Sequence, residues 1–120
     1  AKQGVDDALE RAQAYMEAGA DAIMIHSCES AVIEITEFCQ RYKELSTRVP
    51  LVAVPTSYNQ IYESELIDLG FSVVIYANHL LRSAYPAMLE TAESILKHGR
   101  SAEAESNCIS TKDILGLIKD

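Results

Sequence analysis

The stretch Ala22-Ile23-Met24-Ile25-His26-Ser27 decides the fold class, because an unbroken apolar run ends there abruptly in polar residues. Two later runs, LVAV at 51–54 and VVIY at 73–76, end in the same way. Runs without polar alternation are typical of strands buried on both faces, and segments with helical periodicity separate them. Strands that alternate with helices run parallel, so all their carboxyl ends lie on one rim of the sheet. The sequence therefore predicts an α/β fold with polar residues collected along this carboxyl rim.

Apolar periodicity also predicts where the helices lie. The predicted order is helix 5–18, strand 22–25, helix 31–45, strand 51–55, helix 63–69, strand 73–77, helix 78–97 and a short amphipathic helix at 110–118. Gly19, Gly70 and Gly99 follow three of these helices, where a left-handed glycine cap is typical. Pro86 falls inside the last long helix and predicts a kink or a new helix start.

Three parallel strands leave two apolar strand edges unpaired, which favours aggregation. A closed parallel barrel needs eight strands and about 250 residues, more than the 120 residues of this chain. The pattern predicts either the C-terminal part of a (β/α)8 TIM-type barrel, with the last three strands in residues 1–100, or an assembly that covers these edges. Residues 101–120 are predicted to form a linker and a C-terminal amphipathic helix. A small open three-layer α/β domain is the alternative.

Composition excludes some classes of partner. The formal net charge is −8 and the basic residues are scattered, which disfavours binding to nucleic acid or to an anionic membrane. No apolar stretch approaches the ~20 residues of a membrane span, and no signal peptide pattern is present, so we expect a cytoplasmic protein. The spacing of Cys28, Cys39 and Cys108 fits neither structural zinc nor a disulfide framework.

Four segments resemble phosphoenolpyruvate mutase and phosphonopyruvate hydrolase, which belong to the isocitrate lyase superfamily of (β/α)8 barrels. They are EAGADAIMIHS at 17–27, VPLVAVPTSY at 49–58, VIYANHLLRSA at 74–84 and ISTKDI at 109–114. In this resemblance the first three match the sixth, seventh and eighth strands of the barrel, and the fourth matches the final helix. The resemblance extends over nearly the whole chain in the same order.

The resemblance implies a Mg²⁺-dependent enzyme whose small-molecule substrate is phosphoenolpyruvate or phosphonopyruvate. His26 matches the strand-end histidine that contacts substrate in this family. We expect it to donate a hydrogen bond or partial positive charge to a phosphoryl or carboxylate oxygen, because a migrating phosphoryl group carries spread negative charge. The metal-binding carboxylates, the gating loop and a phosphate-binding arginine of the family match no part of this chain. The Mg²⁺ ligands are therefore expected outside the chain, and the isolated chain is expected to be inactive.

Other polar residues follow the strands near His26. Thr56 and Asn78 are predicted to contact substrate at the carboxyl rim, although either residue type also caps helices. His79 lies beside Asn78, where capping or packing is the simpler interpretation. Tyr58 and Tyr62 fall in the loop after the second strand and are predicted to shield a site.

The favoured function is interconversion of phosphoenolpyruvate and phosphonopyruvate by a mutase. Phosphonopyruvate hydrolase is the nearest alternative, and a non-catalytic remnant or oligomerisation module is an alternative of another class. A carbon–carbon lyase is less favoured, because His26 stands where an acidic residue is expected. The resemblance also implies pairing of subunits by exchange of C-terminal helices. The apolar stripe at 114–118 therefore predicts a homo-oligomer.

Overall fold

The computed structural model describes residues 3–118, and within them helices and strands alternate. The elements are α1 (Gly4–Glu17), β1 (Ile23–Ile25), α2 (Ile33–Lys43), β2 (Leu51–Ala53), α3 (Glu63–Leu69), β3 (Phe71–Val74), α4 (His79–His98) and α5 (Thr111–Leu115), with a 3₁₀ turn at Glu105–Asn107. The chain divides into two compact units, residues 1–77 and residues 78–120. Each unit is described by itself.

The three strands form a parallel sheet in the order β1-β2-β3. Ile23 of β1 lies opposite Leu51 of β2, and Leu51 lies opposite Phe71 of β3. The register between β2 and β3 shifts just after Leu51, so that Val52 lies opposite Val73. The predicted α/β class with three parallel strands is confirmed.

Helices α1, α2 and α3 bury one face of this sheet. Ile23, Leu51 and Phe71 form a buried row across the strands. They share one apolar cluster with the helical residues Leu9, Ala12, Ile35, Phe38, Cys39, Tyr42 and Leu66. Burial of these side chains is the main force that holds the helices against the strands.

The other face of the sheet is open in the described part of the chain. Met24 is 57% exposed and Val73 is 46% exposed, although both lie inside strands. Because successive side chains of a strand point to opposite faces, the second face is exposed at Met24 and Val73 and half-buried at Val52. The prediction that the strands are buried on both faces is wrong for the described residues.

The third strand begins earlier than its apolar run predicts. Gly70 ends α3 with φ 95°, and β3 begins at Phe71, the next residue. Phe71 is buried, whereas Ile75 and Tyr76 are exposed. Pairing continues only as far as the Ile75 N–H, which donates to the Ala53 carbonyl at 2.8 Å. Burial of the Phe71 ring opposite β2 therefore decides the start of the strand.

The second unit contains α4, the 3₁₀ turn and α5. Helix α4 continues through Pro86 as one helix, so a new helix start at that residue is wrong. Gly99 ends α4 with φ 65°. Helix α5 begins after Ser110, whose hydroxyl oxygen accepts from the Asp113 N–H at 3.1 Å, a typical N-cap. None of the helices within residues 3–118 combines the length and apolar character needed to cross a bilayer.

Candidate active site

His26 and Thr56 both follow strands at the carboxyl rim. His26 directly follows β1 and Thr56 comes shortly after β2, and these two strands are parallel neighbours. The His26 ring is exposed and Thr56 is half-buried. Within residues 3–77, neither ring nitrogen of His26 has a hydrogen-bond partner. The imidazole is therefore free to bind a ligand at this rim.

Tyr58 lies behind the imidazole. Its ring centroid is 6.4 Å from that of His26, with 48° between the two planes. Tyr58 is fully buried and belongs to the apolar core, whereas Tyr62 is 75% exposed at the start of α3. The loop turns the Tyr58 ring into the core beside His26, and the role of Tyr58 in shielding a site stays a prediction. Its packing limits the positions that the His26 ring can take.

The Tyr58 hydroxyl is buried without a hydrogen-bond partner of normal geometry in residues 3–118. Burial raises the pKa of Tyr58, and the nearby Val54 backbone opposes this effect in part. The hydroxyl therefore stays protonated near neutral pH. A buried hydroxyl without a partner is energetically costly.

The loop after His26 is anchored by a buried serine. Ser27 is only 6% exposed, and its hydroxyl donates to the Glu34 carboxylate at an O···O distance of 2.5 Å. The same hydroxyl oxygen accepts from the Glu29 N–H at 3.1 Å. Sequence reasoning missed this contact, because only the folded loop brings Ser27 and Glu34 together. The sequence feature that could have indicated it is a serine close after a strand together with a glutamate in the first turn of the next helix.

Thr56 follows a tight turn at the end of β2. Its backbone N–H donates to the Val54 carbonyl at 2.8 Å. Helix α3 begins after Tyr62, so the alternative in which Thr56 caps the next helix is wrong. Its hydroxyl thus lies near the rim without a capping role.

Asn78 is the first residue of the second unit and is described within that unit. It has a left-handed backbone with φ 58°, and it occupies the N-cap position of α4 without a capping bond from its side chain. Asparagine tolerates this backbone conformation better than most residues. The amide group of Asn78 is therefore not used in capping. Its predicted contact with substrate stays a prediction.

The described residues offer no metal site. Within residues 3–118, no group of three or more His, Cys, Asp or Glu side chains could hold a metal ion. Asp21 lies before β1, at the opposite end of the strand from His26. Mg²⁺ prefers carboxylate oxygens, and this part of the chain does not supply a set of them.

The three cysteines are free thiols in different surroundings. Cys28 and Cys108 are exposed, whereas Cys39 is buried in the first unit. Burial raises the pKa of Cys39 to about 11, and Lys43 opposes this effect in part. The Cys39 thiol is therefore protonated and unreactive near neutral pH.

Comparisons with known proteins agree with this architecture. A family model described as phosphoenolpyruvate phosphomutase matches residues 1–96. Phosphonopyruvate hydrolase from Variovorax sp. (strain Pal2) is 41% identical over 98% of this chain and 40% of its own length. A more distant relative, 2-methylisocitrate lyase from Bacillus subtilis, is 33% identical over 98% of this chain and 38% of its own length. The chain thus spans about two fifths of the length of these relatives.

Solved structures show the same fold. Phosphoenolpyruvate phosphomutase from Streptomyces platensis subsp. rosaceus has a TM-score of 0.86 and 38% identity, covering 98% of this chain and 40% of that chain. Phosphonopyruvate hydrolase in complex with oxalate and Mg²⁺ has a TM-score of 0.80 and 41% identity, covering 95% of this chain and 40% of that chain. The three parallel strands therefore correspond to part of a larger α/β barrel.

Proposed function

Because the chain belongs to the phosphoenolpyruvate phosphomutase family, we propose that it forms part of an enzyme that interconverts phosphoenolpyruvate and phosphonopyruvate. The observation that carries the proposal is His26, an exposed imidazole directly after β1 with no partner for either ring nitrogen within residues 3–77. Parallel α/β folds bind ligands at the carboxyl ends of their strands.

In this proposal His26 binds the substrate through an oxygen of its phosphoryl or carboxylate group. The migrating phosphoryl group spreads negative charge over its oxygens, so a positioned N–H donor stabilises the transition state. The Thr56 hydroxyl is proposed as a neutral donor to the same substrate. Contact of the Asn78 amide with substrate stays a prediction. The buried Tyr58 ring behind the imidazole limits its movement. Preorganisation of this kind lowers the energetic cost of reaching the reactive geometry.

The proposed enzyme also uses Mg²⁺, in keeping with the hydrolase structure that contains Mg²⁺ and oxalate. Because residues 3–118 contain no suitable set of ligands, the ion would be held by residues outside this chain. Bound Mg²⁺ would neutralise charge on substrate oxygens. The part that this chain plays in the proposal is limited to binding and orienting the substrate. We expect the isolated chain to be inactive.

Hydrolysis of phosphonopyruvate is the second candidate. It is favoured by the hydrolase relative, which is 41% identical over 98% of this chain. In that reaction water takes up the phosphoryl group as the carbon–phosphorus bond breaks, and the enolate left behind takes up a proton to become pyruvate. The role proposed for His26 is the same in both reactions, since both pass through a phosphoryl group that carries developing charge.

The experiment uses the full-length protein that contains this chain, phosphonopyruvate and ³¹P NMR. Formation of phosphoenolpyruvate supports the mutase, and formation of inorganic phosphate with pyruvate supports the hydrolase. We expect His26→Ala to lower kcat/KM by about 10²–10³-fold, the usual loss for one transition-state donor. The matched control is His98→Ala, which removes an exposed histidine whose ring forms a hydrogen bond with the Ser94 carbonyl of its own helix. Wild-type turnover by His26→Ala would overturn the proposal.

We also propose that the protein is a homo-oligomer joined through its C-terminal helices. Ile114, Leu115, Leu117 and Ile118 are between 51% and 85% exposed in and after α5, and a five-residue helix is not stable alone. We expect Leu115→Glu to shift the sedimentation coefficient towards that of a single subunit. The control Lys112→Glu changes a polar position of the same helix. A single-subunit sedimentation coefficient for the wild-type protein would refute the proposal.

A further inference from the structure

We infer that Ser27 and Glu34 form a positioning pair that sets the location of His26 at the carboxyl rim. The inference rests on the substrate-binding role proposed for His26. It starts from the hydroxyl of Ser27, which directly follows the histidine and is 6% exposed. That hydroxyl donates to the Glu34 carboxylate at 2.5 Å. Hydrogen bonds to an ionised carboxylate are stronger than those between neutral groups.

The segment between β1 and α2 depends on these side-chain contacts. Residues 27–31 make no backbone-to-backbone hydrogen bond within the described chain. The Glu29 N–H instead donates to the Ser27 hydroxyl oxygen at 3.1 Å. One hydroxyl therefore closes the turn and also connects it to α2. Because Ser27 adjoins His26, fixing its backbone also fixes the direction in which the imidazole leaves the chain.

Glu34 is a firm anchor, because it lies in the first turn of α2. The N-cap residue Val32 gives this helix no side-chain cap, so the helix terminus favours a nearby negative charge. The next residue, Ile35, is 1% exposed, and Phe38 one turn later is also 1% exposed. The core fixes the position of the helix. The hydrogen bond to the Glu34 carboxylate then fixes Ser27 relative to that helix.

The back of the imidazole is held separately. The buried Tyr58 ring limits the imidazole on one side, with 6.4 Å between the two ring centroids. The Ser27–Glu34 bond limits it from the backbone side. A misplacement of about 1 Å in a catalytic site can cost roughly 10²-fold in rate.

The first experiment compares kinetics of variants in the full-length protein. We expect Glu34→Ala to lower kcat by about 10–100-fold with a smaller change in KM, because misplacement reduces the reactive fraction of bound substrate. Glu34→Gln keeps an oxygen that accepts from Ser27, so it should restore most of the activity. The control Glu37→Gln changes an exposed glutamate on the same helix, which pairs with Arg41. If His26→Ala abolishes turnover, equal kcat values for Glu34→Ala and the wild type would overturn the inference.

A double-mutant cycle tests whether the two residues act together. If the pair works as a unit, Ser27→Ala combined with Glu34→Ala should lose no more activity than Ser27→Ala alone. Additive losses would show that the residues act independently and would refute the pair. Because Glu34 is exposed, the single variants at that position keep the test valid if Ser27→Ala fails to fold.

Imidazole NMR separates this inference from the proposed function. With ¹³C-labelled histidine, we expect the His26 ring signals to shift or broaden in Glu34→Ala and to return in Glu34→Gln, while His98 signals stay unchanged. If His26→Ala retains turnover but these shifts appear, the proposed function fails and the positioning pair stands. If His26→Ala abolishes turnover and the ring signals do not change in Glu34→Ala, the positioning pair fails alone.

Discussion

Replacing Tyr58 by phenylalanine should make the protein more stable. The Tyr58 side chain is fully buried, and its hydroxyl has no hydrogen-bond partner of normal geometry in residues 3–118. Leaving a buried polar group without a partner costs about 1–3 kcal/mol. The substitution removes only that oxygen and keeps the ring that contacts His26. We expect the free energy of unfolding to rise by about 1 kcal/mol.

Tyr42 provides a matched control with the opposite expectation. It is also buried, at 3% exposed, but its hydroxyl donates to the Val49 carbonyl and accepts from the Val49 N–H, each at 3.0 Å. Tyr42→Phe leaves both backbone groups without this partner. We expect it to lower the free energy of unfolding by about 1–3 kcal/mol. The same chemical change thus has opposite effects at two buried positions.

Urea unfolding followed by circular dichroism measures both variants. The expected gap of about 2–4 kcal/mol separates the midpoints by roughly 1–2 M at a urea slope of about 2 kcal/mol per M. Equal slopes in the two variants would show that the difference lies in stability rather than in compactness. If Tyr58→Phe lowers the midpoint as much as Tyr42→Phe, the Tyr58 hydroxyl has a stabilising partner and the reasoning is refuted.

Three further predictions concern Gly70 and the cysteines. Gly70→Ala should lower the free energy of unfolding by about 1–2 kcal/mol, because φ is 95° and the added Cβ would lie 3.2 Å from Lys43 Cε. Gly116 has φ −78° and an added Cβ would make ordinary contacts, so Gly116→Ala should leave the urea midpoint nearly unchanged. Equal decreases in the urea midpoint for Gly70→Ala and Gly116→Ala would contradict the argument. A thiol reagent should label the exposed Cys28 and Cys108 quickly and Cys39 only on unfolding, so labelling of all three at one rate in the folded protein would contradict the burial of Cys39. Because folding raises the pKa of Cys39 from 9.0 to about 11, the folded state holds the proton more tightly, and this stabilising contribution is complete below pH 9 and decreases between pH 9 and pH 11. The urea midpoint of Cys39→Ala should decrease less than that of the wild type between pH 9 and pH 11. Equal decreases in the two proteins would contradict this prediction.

The sequence predicts well those features that depend on local pattern. The sequence pattern predicts helix α3 at 63–69, and the helix lies at Glu63–Leu69, because acidic residues begin it and a glycine ends it. The parallel direction of the strands follows from the helices between them. Local pattern also placed His26 directly after β1, since the apolar run ends there.

Features that depend on contacts across the fold were not predicted. The start of β3 follows the burial of Phe71 opposite Leu51, which cannot be deduced from an apolar run that starts later. The loop position of Tyr58 suggested solvent, yet its ring is in the core. The Ser27–Glu34 hydrogen bond joins the two ends of a loop without regular structure, so no periodic sequence pattern predicts it.

The single-residue connection between α3 and β3 restricts where the chain can change length. Gly70 alone separates Leu69 from Phe71, so an insertion there would turn every following strand residue to the opposite face. Phe71 would then leave the core, and the inserted residue would take its buried position. Residues 59–60 are exposed and lie in a segment without helix or strand, so a peptide tag in the first unit belongs there rather than at Gly70.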